Sequence, residues 1–133
     1  KGLMSDKFNV QIISPDKTIL KSEVFQVIIP AYEGLMTILK DHISIVTFLR
    51  PGFIEAEINN EVEKIYVEEG TVEFSNNNLL ILSSTAKNKK DFSSQEAQQA
   101  LEVSKSLMKN DEINDKEKYF LSYKIEALQQ VIN

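Results

Sequence analysis

Cysteine is absent from this chain, which excludes disulfide stapling and thiolate metal sites. A single histidine, His42, cannot build a histidine-rich metal centre. Long apolar runs are missing too. Residues 79–82 form the longest candidate, far short of the roughly 20 residues a membrane-spanning helix needs. The opening KGLMS is too short and too polar to be a secretory signal. Neither a phosphate-binding glycine loop nor a dinucleotide fingerprint occurs; the chain has only four glycines. Acidic residues outnumber basic ones, 20 to 15. A net charge of −5 and a pI near 4.9 argue against a nucleic-acid partner. The one lysine cluster, Lys87, Lys89 and Lys90, reads as a solvated linker.

What is present is β-type sequence followed by helical sequence. The 133 residues, 42% apolar, fit one compact domain or a small domain with an appendage. From Phe8 to about Leu82 the chain is rich in Val, Ile, Phe, Thr and Tyr in short runs. Ser14-Pro15-Asp16, Pro30, Glu33-Gly34, Asp41, Arg50-Pro51-Gly52, Asn59-Asn60, Gly70 and Asn76-Asn77-Asn78 punctuate them. That is the pattern of an all-β sandwich or barrel, with roughly nine short strands. In residues 53–58, Ile54, Ala56 and Ile58 alternate with Phe53, Glu55 and Glu57; in 61–68, Ile65 and Val67 alternate with Lys64, Tyr66 and Glu68. Each such strand is expected to turn one face to a core and the other to water. Asn59-Asn60 and Asn76-Asn77 read as tight hairpin turns, because asparagine tolerates positive φ.

Beyond Asp91 glycine and proline vanish. Ser93-Ser94-Gln95-Glu96 matches a capping box. Ala97, Ala100, Leu101, Ser104, Leu107 and Met108 follow at helical spacing. Residues 110–115 break this helix. Asp115 is expected to cap a second, with Phe120, Tyr123, Ala127 and Val131 on one stripe, broadened by Leu121, Ile125, Leu128 and Ile132. Neither helix is secure alone in water, so an antiparallel hairpin sharing apolar faces is expected. The predicted layout is a mainly β plus α chain: a β-sandwich over residues 5–87 and a two-helix hairpin over 88–133, with few contacts across the junction.

No catalytic constellation accompanies this layout. Asp41 and Ser44 lie near His42 in sequence, but without nucleophile-elbow context. His42 reads as a turn residue with local packing or hydrogen bonds. Glu55, Glu57, Glu61, Glu63 and Glu68 read as a solvated sheet face that discourages edge pairing.

The order and spacing of several segments nevertheless carry a likeness. They are "FNVQIISPDKTILKSEVFQVIIPAYEG", then Glu33-Gly34, Leu39, His42, Leu49-Arg50-Pro51-Gly52, Glu69-Gly70-Thr71-Val72-Glu73-Phe74, residues 79–82 and Thr85-Ala86. In these the chain resembles the epsilon subunit of the bacterial F-type ATP synthase, called delta in mitochondria. Thr37, Lys40 and Ser44 stand where that family commonly has Gly, Pro and Pro, and Glu69-Gly70 where it has Gly-Gly. The resemblance implies a ten-stranded β-sandwich with a C-terminal helical hairpin. It also implies a non-catalytic rotor part without cofactor or metal, which docks on the gamma subunit and the c-ring. Regulatory contact of the helices with the alpha/beta catalytic head is implied as well. The location implied is peripheral, on the cytoplasmic face of the bacterial inner membrane or the matrix side in a mitochondrion, without membrane insertion.

It further implies an interface of Glu33, Gly34, Leu35, Met36, His42 and Ile43 at one end of the sandwich. ATP-binding members carry an Ile/Leu-Asp-x-x-Arg-Ala motif entering the first helix. Here Phe92 and Ser93 occupy its first two positions and Glu96 the arginine position, so no ATP site is expected. Two readings from other classes are a stand-alone ligand-binding β-sandwich with a helical lid and an enzyme using carboxylates in a sandwich groove. A large apolar pocket with converging polar groups would favour either.

Overall fold

The structure is a computed structural model that describes residues 6–133. The expected start of the β domain at residue 5, and the KGLMS stretch, lie outside the described residues. Ten strands come first: β1 (Phe8–Ile13), β2 (Thr18–Val24), β3 (Gln26–Ala31), β4 (Gly34–Leu39), β5 (Ile45–Leu49), β6 (Gly52–Ile58), β7 (Glu61–Val67), β8 (Gly70–Ser75), β9 (Asn78–Leu82) and β10 (Lys87–Asn88). A 3-10 turn over Lys89–Asp91 leads into α1 (Ser94–Met108) and α2 (Asp115–Ile132).

Along the sheet the strands run β10-β7-β6-β3-β5-β8-β9-β1-β2, with β4 paired to β3. The sheet folds over at the single β3–β5 bridge, Ala31 to Leu49, giving two layers. One parallel pair occurs, β1 with β9; the other pairings are antiparallel. Between the layers lies an apolar core in which Val10, Ile12, Val27, Ile29, Ile38, Ile54, Ile65, Val72, Phe74 and Ile81 are almost fully buried. Phe8 and Phe74 meet edge to face there, with ring centroids 5.6 Å apart.

The two asparagine hairpins form as the sequence predicts. Asn59 and Asn60 have φ of 46° and 69°, Asn76 and Asn77 of 49° and 61°. Positive φ at both central residues is the two-residue turn whose twist matches that of paired strands. β10 is the strand the count of nine misses: two polar residues, Lys87 and Asn88, pair with Tyr66 and Ile65. The supposed linker is therefore anchored. Lys87 Nζ lies 4.9 Å from the centroid of the Phe92 ring, and Lys90 meets Glu63 at 3.4 Å.

Ser93 caps α1 in the predicted capping box with Glu96. That carboxyl is held below its usual range by the Ser93 amide, the Ser93 hydroxyl and the nearby Lys87. The cap of α2 is Asn114, not Asp115: Asn114 accepts from the Glu117 amide and Glu117 reaches back to the Asn114 amide. A capping box needs Glu or Gln three residues on. Asn114 has Glu117 there, whereas Asp115 would have Lys118.

The expectation of few contacts across the junction does not hold. Phe53 and Tyr66, on the strand faces read as meeting water, are buried with Ala97, Leu101, Ala127 and Leu128 beneath the hairpin. Alternation shows which residues share a face, but not what covers it. Here two amphipathic helices need an apolar platform, and the outer face of β6 and β7 supplies it. Glu55, Glu57, Glu63 and Glu68 are accordingly half-buried, leaving only Glu61 of that set fully in water. Tyr66 donates to Glu68 at 2.8 Å, and Glu68 pairs with Lys124 of α2 at 3.4 Å. Burial, then the Glu68 charge and hydrogen bond, raise the Tyr66 pKa. The phenol thus stays a donor at any physiological pH.

Next to Glu68, in the β7–β8 turn, Glu69 is clamped. Its carboxylate accepts from the Ser84 hydroxyl at 2.8 Å, the Ser84 amide at 3.0 Å, and the hydroxyls of Ser83 and Thr85 at 3.3 Å. Burial works against the charge, but the bonds from Ser84, Thr85 and Ser83 together outweigh it and hold the carboxyl below its usual range.

Candidate functional site

The expected interface residues fall on either side of one strand. The β3–β4 turn carries Glu33 and Gly34 at one end of β4; Asp41, His42 and Ile43 follow its other end. Five steps between its six residues, at ~3.4 Å each, separate the two ends by about 17 Å. They do not share an end of the sandwich, contrary to expectation, because β4 is an extended strand and not part of a compact loop.

Around the first end, the Glu33 carboxylate accepts from Thr47 Oγ1 at 3.0 Å, and the Tyr32 amide donates to the Phe48 carbonyl at 2.8 Å. Gly34 takes φ +140°, which few side-chain-bearing residues adopt. Leu35 points outward and is 70% exposed. Met36 turns inward and packs on the core, as Ile38 does completely. Around the second end, His42 is a local structural residue. Its Nδ1 lies 2.8 Å from the Ile43 carbonyl, so that nitrogen carries the proton, and its ring stands edge-on to Phe74 at 6.0 Å. Asp41, at φ +66°, exchanges hydrogen bonds with Asn77: the Asp41 amide donates at 2.7 Å and the Asn77 amide nitrogen donates back at 3.0 Å. Ile43 beside it is 76% exposed.

A larger apolar surface lies between these turns on the outer face of β5, β8, β9 and β1. Strand register sets Phe48, Thr71, Leu82 and Ile13 in one row, and Val46, Glu73, Leu80 and Gln11 in the next. Val46 and Phe48 are 73% and 60% exposed. Leu82 is also exposed, and neither helix is packed on this face. Exposed Thr71 and Glu73 of β8 stand between Val46 and Phe48 on one side and Leu80 and Leu82 on the other, so the face is apolar in two strips with a polar row between them. The sequence signal was available: Ile45-Val46-Thr47-Phe48-Leu49 is apolar on both faces. A strand with two apolar faces is either sandwiched or awaiting a partner.

Among the described residues no three His, Cys, Asp or Glu side chains gather as a metal site, and no helix is long and apolar enough to cross a membrane. One surface depression, about 530 Å³, is an open groove over Asn9, Gln11, Lys21 and Leu80.

Phe92, Ser93 and Glu96, at the departed nucleotide motif, are engaged otherwise. Phe92 packs against Tyr66 with centroids 4.9 Å apart, and Ser93 and Glu96 form the α1 cap.

A family model described as ATP synthase, Delta/Epsilon chain, beta-sandwich domain matches residues 7–89. The ATP synthase epsilon chain of Pelagibacter ubique is 42% identical over 127 residues, spanning 95% of this chain and 98% of that one. The epsilon chain of Endomicrobium trichonymphae is 34% identical, over 92% of this chain and 85% of its own. Among solved structures, a chain of the Euglena gracilis mitochondrial ATP synthase (OSCP/F1/c-ring) superposes with a TM-score of 0.74 at 18% identity, covering 97% of this chain and 81% of that one. A chain from the central stalk and c-ring of the Tetrahymena thermophila mitochondrial enzyme gives 0.61 at 13% identity, covering 94% and 96%. With its sandwich matched by the family model and nearly its whole length by named relatives, the chain belongs to the ATP synthase Delta/Epsilon chain family.

Proposed function

We propose that the chain is a non-catalytic central-stalk subunit of a proton-translocating F-type ATP synthase, working as a rotor part that joins the gamma subunit to the c-ring. The observation that carries this reading is the exposure of Val46, Phe48 and Leu82 on the outer face of a sandwich that carries no His, Cys, Asp or Glu metal cluster among the described residues. Such a face suits a large protein surface better than a small ligand. In this reading the turns with Glu33, Gly34 and Leu35 and with His42 and Ile43 flank the docking face, and Met36 supports the first from inside. The subunit sits peripherally, on the cytoplasmic face of a bacterial inner membrane or on the matrix side of a mitochondrial one. Co-purification of the tagged chain with a gamma subunit tests it: capture supports the role, and its failure with every central-stalk component removes it.

The hairpin is proposed to modulate ATP hydrolysis against the alpha/beta head, but weakly. On α2, Lys116, Lys118 and Lys124 are interspersed with Glu117 and Glu126, and Lys124 is already paired with Glu68. Cutting the subunit after Lys90 within the holoenzyme is expected to raise hydrolysis by less than about fivefold, the scale of an exposed ion pair. A much larger rise would show that α2 grips the head by other means.

No nucleotide site is proposed at the entry to α1. Glu96 places a carboxylate where a phosphate would need a cation, and it is committed to the Ser93 cap. Calorimetric titration of the chain with ATP is expected to show no heat of tight binding; a micromolar dissociation constant would contradict this.

A further inference from the structure

We infer that Tyr119 and Tyr123 of α2, with Arg50, form a latch that ties the posture of the helical hairpin to the shape of the Tyr32-Glu33-Gly34 turn. The Tyr119 hydroxyl donates to the Tyr32 carbonyl, and the two rings pack with centroids 4.8 Å apart. Tyr123 meets Tyr119 edge to face with centroids 5.0 Å apart and carries the Arg50 guanidinium 3.8 Å from its ring centroid. Arg50 is rooted in the same turn region: its amide donates to the Pro30 carbonyl at the end of β3. The turn is thus gripped twice, by β5 through Thr47–Glu33 and Phe48–Tyr32, and by α2 through Tyr119.

The latch is built to open. Arg50 is buried, its Nη1 donates to the Pro51 carbonyl at 2.9 Å, and among the described residues its Nε has no hydrogen-bond acceptor. A buried donor without an acceptor favours any state in which water reaches it. Lifting α2 removes Tyr123 from above the guanidinium and admits that water. The docked hairpin therefore holds a group that release would satisfy, as a reversible contact requires.

Coupling of this kind is reciprocal. Whatever fixes the turn in its present shape favours a docked hairpin, and whatever deforms the turn loosens α2. The relevance to a rotor partner rests on the docking role proposed above; the coupling within the chain does not.

Amide hydrogen exchange on the full chain, followed by mass spectrometry, tests it from both sides. Tyr119→Phe is expected to speed exchange at residues 32–34 and in the first turns of α2 together, by about fivefold, the lower end of ordinary site-to-site coupling. Thr47→Val, and Glu33→Ala at an exposed side chain, cut the opposite grip. Each is expected to speed exchange in α2 to a similar degree, although neither residue hydrogen-bonds to that helix. Unchanged protection in β6 and β7 shows that the variants remain folded. Substitutions that loosen only their own element would overturn the latch. Capture of gamma by a chain carrying Val46→Asp and Phe48→Asp, which leaves the Tyr32–Gly34 turn and α2 untouched, reads the docking role separately, so the two readings fail independently.

Discussion

Replacing Val46 and Phe48 together by aspartate is expected to reduce capture of the chain by its central-stalk partner at least 100-fold. Both side chains are largely exposed on β5, so their apolar surface is available for burial only in a complex. Burying a side chain of this kind is worth about 1.5–3 kcal/mol. Losing two removes about 3–6 kcal/mol, and 1.4 kcal/mol already corresponds to tenfold in affinity. A carboxylate forced into an apolar contact adds a desolvation cost. The isolated chain is expected to lose only about 1 kcal/mol of stability, because substitutions outside the core cost little beyond strand preference. Binding by surface capture or analytical gel filtration, beside thermal unfolding of the free chain, separates the two effects. Undiminished binding would show that the partner covers another face.

Gly70→Ala is expected to be the most destabilising single methyl that can be added outside the core. Gly70 opens β8 at φ +156°, and a Cβ there would lie 2.6 Å from the Leu82 carbonyl and 3.0 Å from Leu49 Cδ1. The backbone conformation alone costs a substituted residue about 1–2 kcal/mol. Forcing an atom against a carbonyl held in the β8–β9 ladder adds about 1–3 kcal/mol. A loss of about 3 kcal/mol, or roughly 10 °C in Tm, is expected. Gly34→Ala is the control: φ is +140°, but no atom lies within 4 Å of the added Cβ. Only the conformational part should appear there, about 1–2 kcal/mol. Equal losses at the two positions would mean that crowding at Gly70 relaxes freely.

Much of this architecture was legible in the residues because local rules and global packing agree. Asn59-Asn60 and Asn76-Asn77 announce two-residue turns, and Ser93 with Glu96 announces the start of α1. The choice of Asn114 over Asp115 was also legible, through the position of Glu117. What was not legible is what lies above a strand face. Period-two alternation places Phe53 and Tyr66 outward, and only the folded hairpin reveals that outward means covered. β10 could not be read because two polar residues carry no pattern; pairing with β7 alone makes them a strand. The turns proposed to flank the docking face were read as sharing one end of the sandwich, but β4 separates them, since sequence proximity says nothing about which end of a strand each occupies.

The parallel pairing of β1 with β9 has a consequence for how the molecule comes into being. Asn9 and Asn78, 69 residues apart, face each other across that ladder. As the chain leaves the ribosome, β1 meets β2 at once, but an isolated two-stranded ribbon is marginal in water. Its other edge waits for β9, through one long loop closure whose entropy must be met before the contact rewards it. The two helices, by contrast, pair across a few residues and need no such wait. Assembly of the sandwich is therefore expected to set the pace of biogenesis, and a nascent chain stalled before Leu82 would leave its first strand half-paired and prone to join a neighbour's.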